Sequence, residues 1–485
     1  MIHLIKYILT GLLIVTIHSL TAQTWPKTYG EPDRRDLSYD IEEAYDGGYY
    51  ILGHYLTQNL VPKSTWLIKT GVNGNVLWEK VLNNTGYNKP TAITQTSDGG
   101  ILLCGLIRYD GEESSDPFVT KLDAWGEKLW CRVFSENLGG STPSKWASDV
   151  KETPSGDIIV LVNQYGSHPI HTMHLFKLNA GGEVLWRNSY AHAYNHPGSV
   201  NPYGHKLLIT SSGDYMIVGD IYWEDPWNPG GTVFALRPMI TKVDSLGTEK
   251  WVMPIGLNDT LTGGGLGIAE ISPTNVIAVG YSWSGGTFDE GLVVSLTIDG
   301  LENSHRKINA KAIDSSMNRV LFYDIYNVDS AFVFGGVMGT EPVGNPPMET
   351  ISDTNVLNHS PNFYQVIRHV NLSTPYSLSI ANFKKVLSSS PNNNWDISLN
   401  KLNLNLEYDT LDPGNYNYDS LCTTPGLPQS GFISLDDCDL FTEIDEIPTA
   451  KQYREKIRWI PVTAYPNPVT AGTLTLEFEN TKHHQ

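Results

Sequence analysis

The residues whose type and spacing come closest to chemistry are three histidines at intervals of three, His168, His171 and His174 in "HPIHTMH", with His192, His196 and His205 not far along the chain. Imidazoles grouped in this way can hold zinc or copper. Alignment of the surrounding repeats places His174 at a core-type strand position and leaves the other two in a loop without a carboxylate partner, so metal binding is the weaker reading. "DGEESSD" at 110–116 offers four carboxylates but lacks the strict alternation of a calcium loop, and reads as solvated charge. There is no GxSxG elbow, no P-loop, no HExxH and no CxxC, and "GGGLG" at 263–267 is a glycine cluster with no helix after it. On these grounds no cofactor is expected and an enzyme is not favoured.

The elements that must position any site come from a refrain. "KTGVNGNVLW" at 69–78, "KLDAWGEKLW" at 121–130, "KLNAGGEVLW" at 177–186 and "KVDSLGTEKW" at 242–251 share a Lys, a Gly five residues on and a Trp nine residues on. Each is flanked by apolar runs, and Gly74, Gly126, Gly182 and Gly247 stand where a short hairpin turn needs positive φ. About 20 residues earlier comes a second hairpin signal, as in "SDGGILLCG" at 97–105. Four strands therefore recur per unit, with Lys-to-Lys spacings of 52, 56 and 65. This is the signature of an all-β protein, a β-propeller of four-stranded blades, with the Trp side chains wedged between neighbouring blades.

Later units decay: "SLTIDGLENS" at 295–304 keeps Gly300 but has Ser304 in place of Trp, and "FYQVIRHVNLSTPYSLSI" supplies a further outer hairpin. The count is seven blades, with six as the alternative, the uncertainty lying in 339–362, which is polar, Pro-rich and reads as a large loop. "TWPKTYG" at 24–30 resembles the outer strand of a refrain without its hairpin, so the first strand is expected to close the ring in the last blade.

Within each unit the second-to-third connections are long and unequal, and strand alternation gathers them on one face. Binding sites collect on such loops over a rigid scaffold. Trp223, Asp225, Trp227, Tyr281, Trp283 and Asp289, with Tyr55 and Tyr109, are expected to form an aromatic and acidic surface suited to sugar rings or a protein partner.

Lys and Arg total 33 against 52 Asp and Glu, a formal charge of −19 that argues against nucleic acid or anionic lipid as partners. Residues 1–22 read as a secretory signal, Lys6 preceding "YILTGLLIVTI", with cleavage after Ala22, and no later segment is apolar enough to span a membrane. Of four cysteines, Cys104 and Cys131 fall on the second and fourth strands of one unit, about 9.6 Å apart across the intervening strand, and are expected unpaired and mostly buried. Cys422 and Cys438 flank a loop in the tail and are the candidate disulfide, since an exported chain allows oxidation.

"KLDAWGEKLWCRVF", with the "DGG" hairpins, resembles the repeats of secreted β-propellers from Gram-negative bacteria that use the type IX secretion system, and more distantly the tryptophan-docked blades of quinoprotein-like propellers. "NYDSLC" at 417–422, "SLDDCDL" at 434–440 and "AYPNPVTAGTLTLEFEN" at 464–480 are similar to that family's closing segment and the opening of its C-terminal sorting domain, Tyr465, Pro466, Asn467 and Pro468 matching the first motif. About 18 residues follow "YPNP", fewer than the usual sandwich, which reads as a truncated sorting domain.

The organisation expected is thus a signal peptide at 1–22, a propeller at 23–412, a short irregular tail at 413–461 and the start of the sorting domain at 462–485. The function expected is a secreted or surface-displayed monomer acting as a non-catalytic binding module for an extracellular glycan or surface protein, handled by the type IX export machinery. The alternative is a polysaccharide-acting or quinoprotein-like propeller enzyme.

Overall fold

A computed structural model describes residues 25, 27–30, 34–57, 62–135, 144–165, 172–190, 200–224, 234–256, 261–284, 287–309, 319–328, 331–339, 364–374, 377–387, 397–399, 429–441, 463–465 and 475–477. The chain is a β-propeller. After β1 (Lys27–Tyr29), blade 1 is β2 (Arg34–Glu43), β3 (Tyr49–Thr57), β4 (Pro62–Thr70) and β5 (Val76–Asn83), and blade 2 is β6 (Tyr87–Gln95), β7 (Ile101–Arg108), β8 (Asp116–Leu122) and β9 (Lys128–Phe134). Blade 3 is β10 (Ser144–Glu152), β11 (Ile158–Tyr165), β12 (Thr172–Leu178) and β13 (Val184–Tyr190), and blade 4 is β14 (Val200–Ile209), β15 (Tyr215–Glu224), β16 (Phe234–Val243) and β17 (Glu249–Pro254). Blade 5 is β18 (Gly263–Ser272), β19 (Asn275–Ser284), β20 (Thr287–Thr297) and β21 (Glu302–Asn309), and blade 6 is β22 (Arg319–Val328), β23 (Ala331–Gly339), β24 (Tyr364–Thr374) and β25 (Ser377–Leu387). The described residues thus form six antiparallel sheets built on four consecutive strands, and β1 pairs antiparallel with β26 (Ile397–Leu399) as a further sheet. The expected outer hairpin of the later units is β24–β25. The large loop read at 339–362 lies outside the described residues beyond Gly339.

The refrain has a physical explanation in every part. Its Lys, on the third strand, reaches the Asp of the first-to-second turn: Lys69 to Asp46 at 2.7 Å, Lys121 to Asp98 at 2.7 Å, Lys177 to Asp157 at 3.0 Å and Lys242 to Asp214 at 3.1 Å. Its Gly turns at φ between 74° and 81° in the four full copies, and at Gly126 and Gly182 the Trp of the preceding blade lies against it. A Cβ on Gly126 would come within 2.9 Å of the Trp78 ring, and one on Gly182 within 2.9 Å of Trp130. The first strand follows the same rule, because Trp25 underlies Gly74 and the Tyr29 hydroxyl donates to the Gly74 carbonyl at 2.7 Å. The pairing of β1 with β26, 27–29 against 397–399, joins the two ends of the propeller as the "TWPKTYG" strand suggested.

Two expectations about the tail are corrected. Residues 413–461 are not irregular throughout: β27 (Gln429–Ser434) adds parallel to β5, and β28 (Asp439–Phe441) adds parallel to β9. The tail has no core of its own and borrows that of blades 1 and 2, burying Ile433, Leu435 and Cys438 in their cluster. Consequently Cys438 pairs with Cys131, not with Cys422, which lies outside the described residues. Cys131 is thereby not the free thiol expected, whereas Cys104 is free and buried, and burial pushes its thiol up to about 12. Thr463–Tyr465 (β29) pairs with Thr475–Glu477 (β30), while Pro466, Asn467 and Pro468 lie outside the described residues. No helix among the described residues is long and apolar enough to cross a membrane.

Candidate functional site: the waist of the channel

The inner strands β2, β6, β10, β14, β18 and β22 face the propeller axis, and each is interrupted by a bulge at the same level. A bulge inserts one residue, bends the strand and re-aims side chains. The residue that resumes pairing is Asp40, Ala92, Asp149, Lys206, Gly267 and Asp324 in blades 1 to 6. Opposite the bulge the second strand needs glycine: a Cβ on Gly105, Gly219 or Gly280 would stand 2.1, 1.7 or 2.0 Å from a carbonyl oxygen of the bulged strand. The Gly that ends "ILLCG", "YMIVG" and "VIAVG" is therefore the partner of the bulge.

The side chains at this level bind blade to blade. The Asp40 carboxylate accepts from the Ile93 amide of blade 2 at 3.0 Å, and that of Asp149 accepts from the Leu207 amide of blade 4 at 2.8 Å. Thr91 and Thr94 donate to the Ala147 and Val150 carbonyls of blade 3. Across the axis, Lys206 of blade 4 places its ammonium 3.5 Å from Asp40 of blade 1 and 3.5 Å from Asp324 of blade 6. The two carboxylate oxygens can therefore be no farther apart than twice that distance. Lys151 stands 3.8 Å from Asp149 and donates to Thr94. The channel waist is thus a ring of carboxylates tied together by two ammonium groups.

The titration of the ring follows from burial and neighbours. Burial raises Asp40 above the ordinary carboxylate range, with Asp324 and Asp149 adding to the rise and Lys206 and Lys151 opposing it. Burial raises Glu42 as well, Lys151 opposing it most strongly. For Lys151, burial disfavours the charge, but Asp149, Asp40 and Glu42 outweigh it and hold the ammonium above its usual range.

One strand outward, the residue after the one that pairs just before the bulge differs between blades. Asn163 clamps the Gly204 amide at 2.9 Å and the Gly204 carbonyl at 2.8 Å, and Asp220 accepts from the Gly265 amide at 3.1 Å while holding His205 at 2.9 Å. In blade 1 the equivalent residue is His54, and the position held by Gly204 in blade 4 and Gly265 in blade 5 is Pro90 in blade 2, which has no N–H to offer. His54 is 2% exposed and makes edge contacts with Tyr39 and Tyr87. Burial, with Lys89 nearby, lowers it to about 4. In blade 5 the equivalent is Tyr281, which clusters with Leu266, Trp283 and Tyr323.

The sequence-predicted residues separate. Tyr281 is buried at 1%, not part of an exposed surface, because it fills the contact between blades 5 and 6. Trp283 is half-buried against it, with ring centroids 6.2 Å apart. Trp223 is half-buried against the core between blades 3 and 4, whereas Trp283 packs against the cluster of Leu266 and Tyr281. Asp225 and Trp227 lie outside the described residues, as does the side chain of Asp289 on β20. His168 and His171 lie outside them too, whereas His174 is buried, bonded to Thr172 and Ser189 at 2.8 Å each and lowered to about 3 by burial and by Arg187 and Lys145. Among the described residues no group of three His, Cys, Asp or Glu is placed to hold a metal. In the loop at 110–116, Asp116 is spent on Lys145 at 2.8 Å.

The ring itself was not singled out in the sequence. Its signal is the pair that follows the bulge, "DI" at 40, "AI" at 92, "DV" at 149, "KL" at 206, "GI" at 267 and "DI" at 324, spaced like the refrain.

No family model matches the chain, and no curated protein matches it by sequence. Among solved structures it is similar to a protein of unknown function from Bacteroides caccae (11% identity, TM-score 0.37, covering 70% of this chain and 96% of that one). It is similar to a neuraminidase-like protein of A/little yellow-shouldered bat/Guatemala (10%, 0.38, 64% and 94%). It is also similar to a Penicillium chrysogenum α-L-arabinanase (11%, 0.40, 64% and 90%). At such identities the likeness concerns the fold alone. The expectation that an enzyme is not favoured is nonetheless corrected: several of these propellers are named as glycan-cleaving enzymes, arabinanases and a polysaccharide lyase among them. The converging carboxylates that the sequence reading missed are present at the waist of this one.

Proposed function

We propose that the protein engages an extracellular glycan at the waist of its channel and acts on it there. The observation that carries this reading is the convergence of Asp40 and Asp324 on the single ammonium of Lys206. Glycosidic cleavage uses two carboxyl groups roughly 5–9.5 Å apart in unlike environments, one held toward its protonated form. Burial pushes Asp40 in that direction, while the Asp324 side chain is 26% exposed. Tyr323, beside Asp324 on the bulge, and Trp283 are half-buried and offer ring faces for a sugar, with buried Tyr281 as their support.

The setting we infer is outside the cytoplasm, in a Gram-negative cell with type IX export, as the leader at 1–22 and "YPNP" at 465–468 suggest. The Cys131–Cys438 bond supports an oxidising compartment.

The test is incubation of the purified chain with a polysaccharide panel, reading released ends and intrinsic fluorescence. One glycan should bind and be cleaved, Asp324→Asn should abolish cleavage with binding retained, and Tyr323→Ala should weaken binding roughly tenfold, the loss of one stacking contact. Absence of binding and cleavage across the panel overturns the reading.

A further inference from the structure

The residue inside a bulge turns toward the second strand of its own blade, and the pairs it makes there differ in chemistry. In blade 1 the Tyr39 ring meets His54 edge-on, and in blade 3 Ser148 takes a hydrogen bond from the Asn163 amide. In blade 4 the pair is ionisable, with His205 Nε2 2.9 Å from the Asp220 carboxylate. Asp220 is 1% exposed, whereas the His205 side chain, on the strand that faces the axis, is 26% exposed.

The glycine run "GGGLG" at 263–267 of blade 5 seats this carboxylate. The Gly265 amide donates to Asp220 Oδ1 at 3.1 Å, and a Cβ on Gly264 would stand 2.2 Å from that oxygen and 2.7 Å from the Tyr281 hydroxyl. Both oxygens of Asp220 are thereby assigned, Oδ1 to Gly265 and Oδ2 to His205. A carboxylate only accepts, so Nε2 carries the hydrogen. In the neutral ring Nδ1 is then the acceptor, on the opposite edge of the imidazole from Asp220. Lys206, next in the chain, is held by Asp40 and Asp324, and Lys151 by Asp149, so these ammonium groups already have carboxylate partners. Tyr281, beside Asp220, clusters with Tyr323 and Trp283.

We propose that His205 is the specificity-determining residue of the waist: Nδ1 accepts a hydrogen bond from a hydroxyl of a glycan stacked on Tyr323 and Trp283, and the site takes uncharged sugars. This rests on a glycan being bound at the waist, and narrows which one. A sugar hydroxyl donates to Nδ1 without competing for Asp220. A sulfate or uronate group has no hydrogen to give there, faces a ring of carboxylates, and must displace Asp40, Asp324 or Asp149 to reach an ammonium.

Asp220→Asn is the deciding variant. Its oxygen stays on the Gly265 amide, so its amide nitrogen faces Nε2, the ring is driven to the Nδ1–H tautomer, and the acceptor becomes a donor. Heteronuclear NMR of the histidine-labelled full-length protein, with His205 assigned by its loss in His205→Gln, should show Nε2–H in the parent and Nδ1–H in Asp220→Asn. An Nδ1–H or doubly protonated ring in the parent overturns the proposal before any glycan is added. Oligosaccharides of β-glucan, galactan and mannan are then compared with those of polygalacturonate and carrageenan. The parent should take an uncharged one, and Asp220→Asn should raise its KM roughly tenfold, the loss of one hydrogen bond, with kcat and melting temperature little changed. His205→Gln, whose amide can donate to Asp220 and keep its oxygen for the ligand, should lose less than about threefold. A parent that prefers the charged oligosaccharides, or an unchanged KM in Asp220→Asn, overturns the proposal and leaves the carboxylate pair standing. A parent that neither binds nor cleaves any of them removes the glycan reading and the proposal together.

Discussion

The turn end of each blade and the channel waist are built on the same backbone but treated differently. At the turn end, four blades repeat one solution, an Asp in the first turn and a Lys on the third strand, and in three of them the Trp lies beneath the next blade's Gly. At the waist, equivalent positions hold Asp, Ala, Asp, Lys, Gly and Asp on the inner strands, and His54, Asn163, Asp220 and Tyr281 one strand outward. Repetition serves stacking, where every interface poses the same problem. Variation at equivalent positions is where individual side chains meet across the axis, and the converging carboxylates arise there.

The largest expected effect tests the repeated half. Deleting residues 23–30 removes Trp25, Lys27 and Tyr29 and the pairing of β1 with β26, and the melting temperature should fall sharply. An unchanged melting temperature would show that the first strand is not part of the stacking scheme. Next comes Trp186→Ala, which removes a fully buried indole and should cost about 3–5 kcal/mol in denaturant unfolding. Trp130→Ala should cost less, since Trp130 is half-exposed, and equal costs would mean that exposure does not grade the refrain.

The waist should reveal itself through pH. His54, at about 4 when folded, is buried neutral, so below its ordinary value of 6.5 the unfolded chain takes up a proton that the folded one refuses. Its contribution is complete above about 6.5 and is lost as the pH falls toward 4. Urea midpoints of His54→Leu should therefore decline less between pH 7 and 4.5 than those of the parent. Parallel declines would mean that other groups carry the acid sensitivity. The smallest effect returns to the turn end. Lys121 pairs with a largely exposed Asp98, and Lys121→Ala should cost about 1 kcal/mol or less. Lys69→Ala should cost more, about 3–5 kcal/mol, because Asp46 at 1% exposure would be left without its ammonium partner. Equal costs would remove the distinction.

Much of the architecture was legible because it depends on local chemistry repeated many times. Gly at positive φ, alternating apolar strands and a Trp at constant spacing require no knowledge of what lies across the ring, and neither did the likeness of "TWPKTYG" to an outer strand. The site was less legible. Sequence reasoning sought it among loop aromatics and clustered histidines, yet Tyr281 and His174 are core residues, since a polar or aromatic side chain looks alike in sequence whether it faces solvent or a neighbouring blade.

The sequence by itself determined the blade, meaning its four strands, its turns and the Trp that stacks it, because these follow from backbone sterics and apolar periodicity within some fifty residues. Tertiary structure alone decided what meets at long range. Cys131 meets Cys438 across 307 residues only because β28 adds parallel to β9. Lys206 meets Asp40 and Asp324 only because ring closure brings blades 4, 1 and 6 to one axis. Contacts of that kind depend on how many blades stack and where the ends of the chain run, which no local pattern encodes.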